Sequence, residues 1–268
     1  MSSNTLGTAV VTGASTGLGA VYADRLAKRG YDLILVARDA GRMEALAKRL
    51  RADTGVKVDV VRADLTAEAD VEAISRRLAD DASITLLVNN AGMSLNGSLL
   101  ENGPTEIGRL IALNITAPTL LQAAAGKAFV ARGKGAIINI ASVLALAPEM
   151  FDGIYSGSKA FILNLSLAAY SQWKDKGVYV QAVLPGATRT EIWERSGKDV
   201  DAFPTEMVMS ADDLVDAALL GFDRGEDVTI PPLPDAAQWD ALQAARLAMA
   251  PNLSKRDVAE RYREAVTA

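Results

Sequence analysis

The 268-residue chain has no cysteine and no histidine. The first absence rules out disulfides, a thiolate nucleophile and a thiolate zinc site; the second removes the imidazole base and metal ligand. Zinc-assisted alcohol oxidation is excluded with them, as are Ser-His-Asp and Cys-His hydrolysis, which need that imidazole. Proton transfer therefore falls to Tyr, Lys, Asp, Glu or water, and no metal is expected.

Long apolar runs are also missing. No stretch approaches the roughly 18 uninterrupted apolar residues of a membrane span, and the opening MSSNTLG has neither the basic cluster nor the apolar run of a signal peptide. Lys and Arg are scattered along helix faces and the net charge is -5, so a surface for nucleic acid is not expected. A cytoplasmic protein is the expectation, with neither membrane nor nucleic acid among its partners. What is plentiful is apolar: 50% of residues are hydrophobic and 23% charged, enough to bury a substantial core. No internal repeat, low-complexity tract or linker divides the chain, which reads as a single domain over 1–268.

Short β-branched runs recur between longer amphipathic stretches. Strands are expected at 8–12, 32–37, 57–63, 85–89, 135–141, 178–184 and 227–231. Helices are expected at about 17–29, 40–54, 67–82, 105–132, 154–176 and 211–224, with Thr66 and Ser210 among the helix-opening residues. The alternation, with near-continuously apolar strands, implies an α/β fold: a doubly wound parallel seven-stranded sheet with helices on both faces and right-handed crossovers. Two segments break the rhythm. Thr188 to Ser210 is polar, holds Trp193 and Phe203, follows a strand's carboxyl end and reads as a lid. Beyond PPLPD, which stops the last strand, a helical C-terminal extension over 232–268 is expected, with helices near 235–250 and 254–267, the second through Val258, Tyr262 and Val266.

The turn after the first strand reads TGASTGLG, which puts Gly13, Gly17 and Gly19 at a strand-to-helix junction. Glycine there allows a tight turn and lets a pyrophosphate approach the free N–H groups of the helix start. The second strand ends LILVARD. An acid at its end would bond the 2′-hydroxyl of NAD, whereas an arginine accepts a 2′-phosphate; here Ala37 takes the acidic position and Arg38 follows. Asp39 can neutralise Arg38 or cap the next helix, and Arg38 can also be an ordinary solvated charge.

The TGxxxGxG spacing resembles the signature of the short-chain dehydrogenase/reductase family, which implies a Rossmann fold. The resemblance makes Gly13, Ser15, Thr16, Gly17, Leu18 and Gly19 cofactor-binding, and Ala37 with Arg38 is similar to the NADP-preferring members. In RADLT, Asp64 matches the position that bonds the adenine amino group, with Leu65 beside it, and in NNAG Asn90, Ala91 and Gly92 line the adenosine ribose. Adjacent asparagines at a buried strand end also need side-chain partners of their own.

Tyr155 and Lys159 stand i,i+4 on an expected helix, so phenol and ammonium share one face. A nearby positive charge should lower the phenol pKa toward a useful range. Ser142, at the end of the fifth strand, and Asn114, in LNITAP, complete the family's catalytic tetrad at matching spacings. By resemblance Ser142 bonds the substrate oxygen, Lys159 also bonds the nicotinamide ribose and Asn114 holds the relay water. In VLPGATRTE, Pro185 and Gly186 turn the backbone toward the nicotinamide; Thr190 matches the threonine that bonds the carboxamide, and Thr188 falls where the backbone does that work. Val143, Leu144, Leu146, Met150, Phe151 and Trp193 are expected to wall a pocket for an apolar ketone, although Leu144, Leu146 and Met150 equally suit core or interface.

The resemblance spans about residues 8 to 231. It implies an NADP(H)-dependent oxidoreductase acting on a small-molecule carbonyl or alcohol, with Tyr155 as general acid or base. The alternatives are an NAD-dependent secondary alcohol dehydrogenase and a non-catalytic dinucleotide-sensing regulator. The two long helices resemble those that pair subunits in the family, which implies a homodimer or homotetramer.

Overall fold

The computed structural model describes residues 6–151 and 153–263. Its strands are β1 (Thr8–Thr12), β2 (Asp32–Ala37), β3 (Val58–Arg62), β4 (Ile84–Asn89), β5 (Gly135–Ile140), β6 (Val178–Val183) and β7 (Val228–Thr229). They pair in parallel in the order β3-β2-β1-β4-β5-β6-β7, the doubly wound Rossmann sheet expected from the alternation. The helices are α1 (Gly17–Lys28), α2 (Ala40–Thr54), α3 (Glu68–Asp80), α4 (Pro104–Ile111), α5 (Ala117–Arg132), α6 (Gly153–Trp173), α7 (Ile192–Arg195), α8 (Ala211–Asp223) and α9 (Ala236–Ala248).

Inner strands are apolar on both faces because helices cover both. On one face Val11, Leu33 and Leu35 pack with Tyr22 and Leu26 of α1, Met43 of α2 and Leu219 of α8. On the other, Val10, Ile34 and Leu87 pack with Leu78 of α3 and Leu121 and Phe129 of α5. The strand order reverses between β1 and β4, so the loops after these two strands diverge and leave a crevice at the sheet's carboxyl edge.

The expected helix over 105–132 is broken. A π turn over Ala112–Thr116 separates α4 from α5, and the N–H of Ala117 reaches back five residues to the Ala112 carbonyl. The cause is local: Pro118 has no N–H to give to the Asn114 carbonyl four residues earlier, so the ladder skips a residue. Thr66 does not cap α3, whose N-cap is Ala67, because the Thr66 hydroxyl instead donates to Asp64 at 2.8 Å. Ser210 does cap α8, accepting from the Asp213 N–H at 3.0 Å. β7 is shorter than expected, since Pro231 and Pro232 lack the donors to extend it.

The chain divides into two compact units, 1–231 and 232–268. In the second, α9 has no buried residue. The second helix expected at 254–267 is not formed over 254–263, where only a 3₁₀ turn at Glu260–Tyr262 occurs; Val266 lies outside the described residues. Among the described residues no helix is long and apolar enough to cross a membrane.

Candidate active site

The glycine loop is shaped by backbone approach rather than by side chains. Gly13 and Gly17 have φ of +67° and +55°, and a Cβ on Gly19 would collide with the Gly13 carbonyl oxygen. Asn90 holds the loop from below: its Nδ2 donates to the Thr12 carbonyl at 2.8 Å, while the N–H groups of Asn90 and Ala91 both reach the Thr12 hydroxyl at 3.0 Å. Asn89 Nδ2 donates to Asn139 Oδ1 at 3.0 Å and to the Pro118 carbonyl at 3.3 Å. The amide nitrogens of the two adjacent asparagines thus find partners, whereas the buried Asn89 Oδ1 has none among the described residues.

A cavity of about 620 Å³ opens above this loop. It begins at Gly13 and Ser15–Leu18, passes Ala37 and Arg38 at the end of β2, Asp64 and Leu65 after β3 and Asn90–Gly92 after β4, and reaches Thr190 after β6. Arg38 is exposed at the rim, and among the described residues it enters no ion pair. Asp39 caps α2 through the Arg42 N–H at 3.0 Å and pairs with Arg42, leaving Arg38 to face the cavity. Burial opposes ionisation of Asp64, but the Thr66 N–H and hydroxyl, with the charges of Arg38 and Arg109, outweigh it and hold the carboxyl below its usual range. A glycine-rich loop at a helix start, a cavity of this size and a cation at its far rim fit a phosphorylated dinucleotide.

Of the residues expected to bind cofactor, Gly19, Tyr155, Lys159, Pro185, Gly186 and Thr188 are not on the cavity wall. Gly19 serves the close contact of α1 with the loop instead. The Pro185 carbonyl accepts the Val143 N–H at 3.0 Å, the Thr188 hydroxyl donates to the Gly186 carbonyl at 3.0 Å, and the Thr188 carbonyl accepts Trp193 Nε1 at 2.8 Å. Sequence reasoning missed Arg109 and Leu113, one turn apart and both on the wall; their i,i+4 spacing just before Asn114 was the available signal. It also missed Glu191 and Arg195 on the wall, paired to each other at 2.7 Å, with Glu191 held by Arg42 at 2.9 Å.

Ser142, Tyr155, Lys159 and Asn114 converge beside the cavity. Tyr155 and Ser142 are hydrogen-bonded through their hydroxyls. Lys159 is buried, donates from Nζ to the Ile140 carbonyl at 2.8 Å and lies 5.5 Å from the Tyr155 ring centroid. A Cβ on Gly92 would come 3.4 Å from Asn114 Oδ1 and 3.6 Å from Lys159 Nζ, so this cavity-wall glycine abuts both groups. Asn114 binds the Met93 backbone twice, accepting from N–H at 2.9 Å and donating to the carbonyl at 2.8 Å. Its Nδ2 also donates to Ser158 Oγ at 3.1 Å, and Ser158 donates to the Tyr155 carbonyl at 2.7 Å, a link that sequence reasoning missed.

The expected acidification of the phenol by Lys159 is not found. Burial pushes Tyr155 up to about 12 against the opposing pull of its Ser142 bond, and burial also pushes Lys159 down to about 8. Desolvation penalises both charged forms here, so the pair at neutral pH is a neutral phenol beside an ammonium.

Phe151 stands edge-on to Tyr155 at 5.7 Å and to Trp193 at 6.3 Å, and Trp193 meets Phe203 at 5.1 Å. Val143 and Leu144 are half-buried in the turn after Ser142, whereas Leu146 and Met150 are exposed, Met150 by 69%. Phe151 and Trp193 thus form an aromatic wall beside Tyr155.

The short chain dehydrogenase family matches residues 7–201. A short-chain dehydrogenase from Sphingobium yanoikuyae, solved in complex with NADPH, superposes with a TM-score of 0.94 at 53% identity, covering 96% of this chain and 100% of that one. A bulky-bulky ketone specific alcohol dehydrogenase from Comamonas testosteroni superposes with a TM-score of 0.89 at 47% identity, covering 97% and 99%. Human 17-beta-hydroxysteroid dehydrogenase type 3 is 39% identical over 184 residues, 68% of this chain but only 59% of that enzyme. Glycine loop, sheet order and family match agree, and the chain belongs to the short-chain dehydrogenase family.

Proposed function

We propose that this protein reduces an apolar ketone or aldehyde to the alcohol, reversibly, using NADP(H). The observation that carries the reading is the hydroxyl pair of Ser142 and Tyr155 beside a cavity rimmed by Arg38. NADP(H) held there would supply hydride to the carbonyl carbon. Gly13, Ser15–Leu18, Asp64, Leu65, Asn90–Gly92 and Thr190 would hold it, with Arg38 taking the 2′-phosphate.

The remaining work belongs to the chain's own groups. Ser142 Oγ takes the Leu144 N–H at 3.1 Å, which fixes the hydroxyl to meet a carbonyl oxygen together with Tyr155. A phenol held up at about 12 is protonated at neutral pH, which is the form that donates as the alkoxide develops. Lys159 supplies the adjacent positive charge that the transient phenolate needs, and Asn114 sets the backbone of Met93 beside it. The NADPH complex of one relative and the bulky ketones named for another support both cofactor and substrate class. Exposed Ile111, Leu120 and Phe161 on α4, α5 and α6 support a homo-oligomer.

A panel of ketones followed by loss of NADPH absorbance tests the reading. Tyr155→Phe is expected to lower kcat by about a thousandfold while NADPH binding stays within about twofold; unchanged turnover in that variant removes the mechanism.

A further inference from the structure

Loops leaving the carboxyl ends of β4, β5 and β6 meet at one ammonium group. Lys198, after β6, donates from Nζ to the Leu95 carbonyl at 2.8 Å in the loop after β4. The same Nζ lies 3.7 Å from the ring centroid of Phe151, which precedes α6. The backbone reinforces this junction: Gly197 has φ +66°, and a Cβ there would come 3.0 Å from Asn96 Nδ2, so the turn presses on the same β4 loop. Lys198 is half-buried, a setting in which a cation over an aromatic face is worth more than in open water. Its bond to a fixed carbonyl gives the ammonium a direction as well as a place.

Phe151 is the ring next to Tyr155, 5.7 Å centroid to centroid. Whatever fixes Phe151 therefore fixes the wall alongside the phenol. We propose that Lys198 is a specificity-determining residue, holding Phe151 edge-on to Tyr155 so that a ketone with a large apolar substituent is seated against that ring while a small one is indifferent to it. The inference rests on the carbonyl-reductase reading. Lys198 acts through Phe151 and exchanges no proton, so it is a positioning residue. Without the ammonium, one face of Phe151 loses its partner, the Leu95 carbonyl loses its donor, and the segment around Trp193 is freed from the β4 loop.

The test compares wild type with Lys198→Met, Lys198→Arg and Phe151→Leu on a bulky aryl ketone and on cyclohexanone. Lys198→Met is expected to raise KM for the aryl ketone about tenfold and to leave kcat/KM for cyclohexanone within about twofold. Lys198→Arg, which keeps charge and donors, is expected to retain the wild-type preference. Phe151→Leu is expected to raise KM for the aryl ketone to the same extent, and the double variant to add nothing further to that increase. Equal losses on both ketones, or additive losses in the double variant, overturn the proposal. Tryptic cleavage after Arg189 and Arg195 is a readout free of turnover: Lys198→Met should speed it, and an unchanged rate overturns the latch. Failure of the wild type on every ketone would strike the underlying reading alone, and the cleavage comparison would still decide the role of Lys198.

Discussion

Asn114, on the π turn, donates to Ser158 of α6 at 3.1 Å, and Ser158 passes the connection to the Tyr155 carbonyl at 2.7 Å. Asn114 and the helix bearing Tyr155 and Lys159 are thereby tied together by one buried hydroxyl.

Removing that hydroxyl should cost rate more than binding. Ser158→Ala is expected to lower kcat about tenfold with little change in KM for NADPH, because it loosens α6 without touching the cavity wall. Steady-state kinetics check this, and an unchanged kcat shows that Asn114 is held well enough by Met93.

Arg38 faces the cavity without a salt bridge among the described residues. Arg38→Ala should weaken NADPH binding by about ten- to a hundredfold and NADH binding by no more than about twofold, the loss of a charge-assisted bond to a 2′-phosphate. Titration with each cofactor measures it, and equal losses would favour an NAD-linked dehydrogenase.

The buried pair predicts the pH profile of reduction. With Lys159 pushed down to about 8, its ammonium is present below that pH and lost above it, while Tyr155 at about 12 stays protonated throughout. Reductive kcat/KM should be level at neutral pH and fall as pH rises through about 8. In Lys159→Met that limb should vanish along with most of the rate.

Asp24 carries a separate prediction about stability. It is buried on α1 and accepts from Arg25 and Arg49 at 2.9 Å each and from Lys28 at 2.7 Å. Burial opposes its ionisation, but bonds from Lys28, Arg49 and Arg25 outweigh that and lower it from 3.8 to about 2. A lowered folded value stabilises the fold above the unfolded value, and this stabilisation is lost as pH falls from there toward about 2. It amounts to about 2 kcal/mol. Urea unfolding should show that loss in acid for wild type and a smaller one for Asp24→Asn, which is less stable at neutral pH.

Much of the fold was legible because hydrophobic period and turn chemistry are local properties. TAVVT, DLILVA and TLLVN read as buried strands between amphipathic helices, and the glycines of TGASTGLG mark the crevice from the sequence itself. The break at Ala112–Thr116 was less visible: it needs Pro118 to withhold a donor and Asn114 to find Met93 across the fold, and only the first is written nearby. The helix expected beyond Ser254 failed because periodicity alone does not bury a face.

Residue order alone thus determined the reaction types excluded by absent Cys and His, the doubly wound sheet, and which side chains share the face of α6. Tertiary structure decided what those side chains are. Burial, a property of the whole packed chain, sets the phenol at about 12 and the ammonium at about 8, opposite to the simple effect of one charge on its neighbour. It also brought Lys198, Phe151 and Leu95 together from three loops far apart in sequence, since only parallel pairing within the sheet places the carboxyl ends of β4, β5 and β6 side by side.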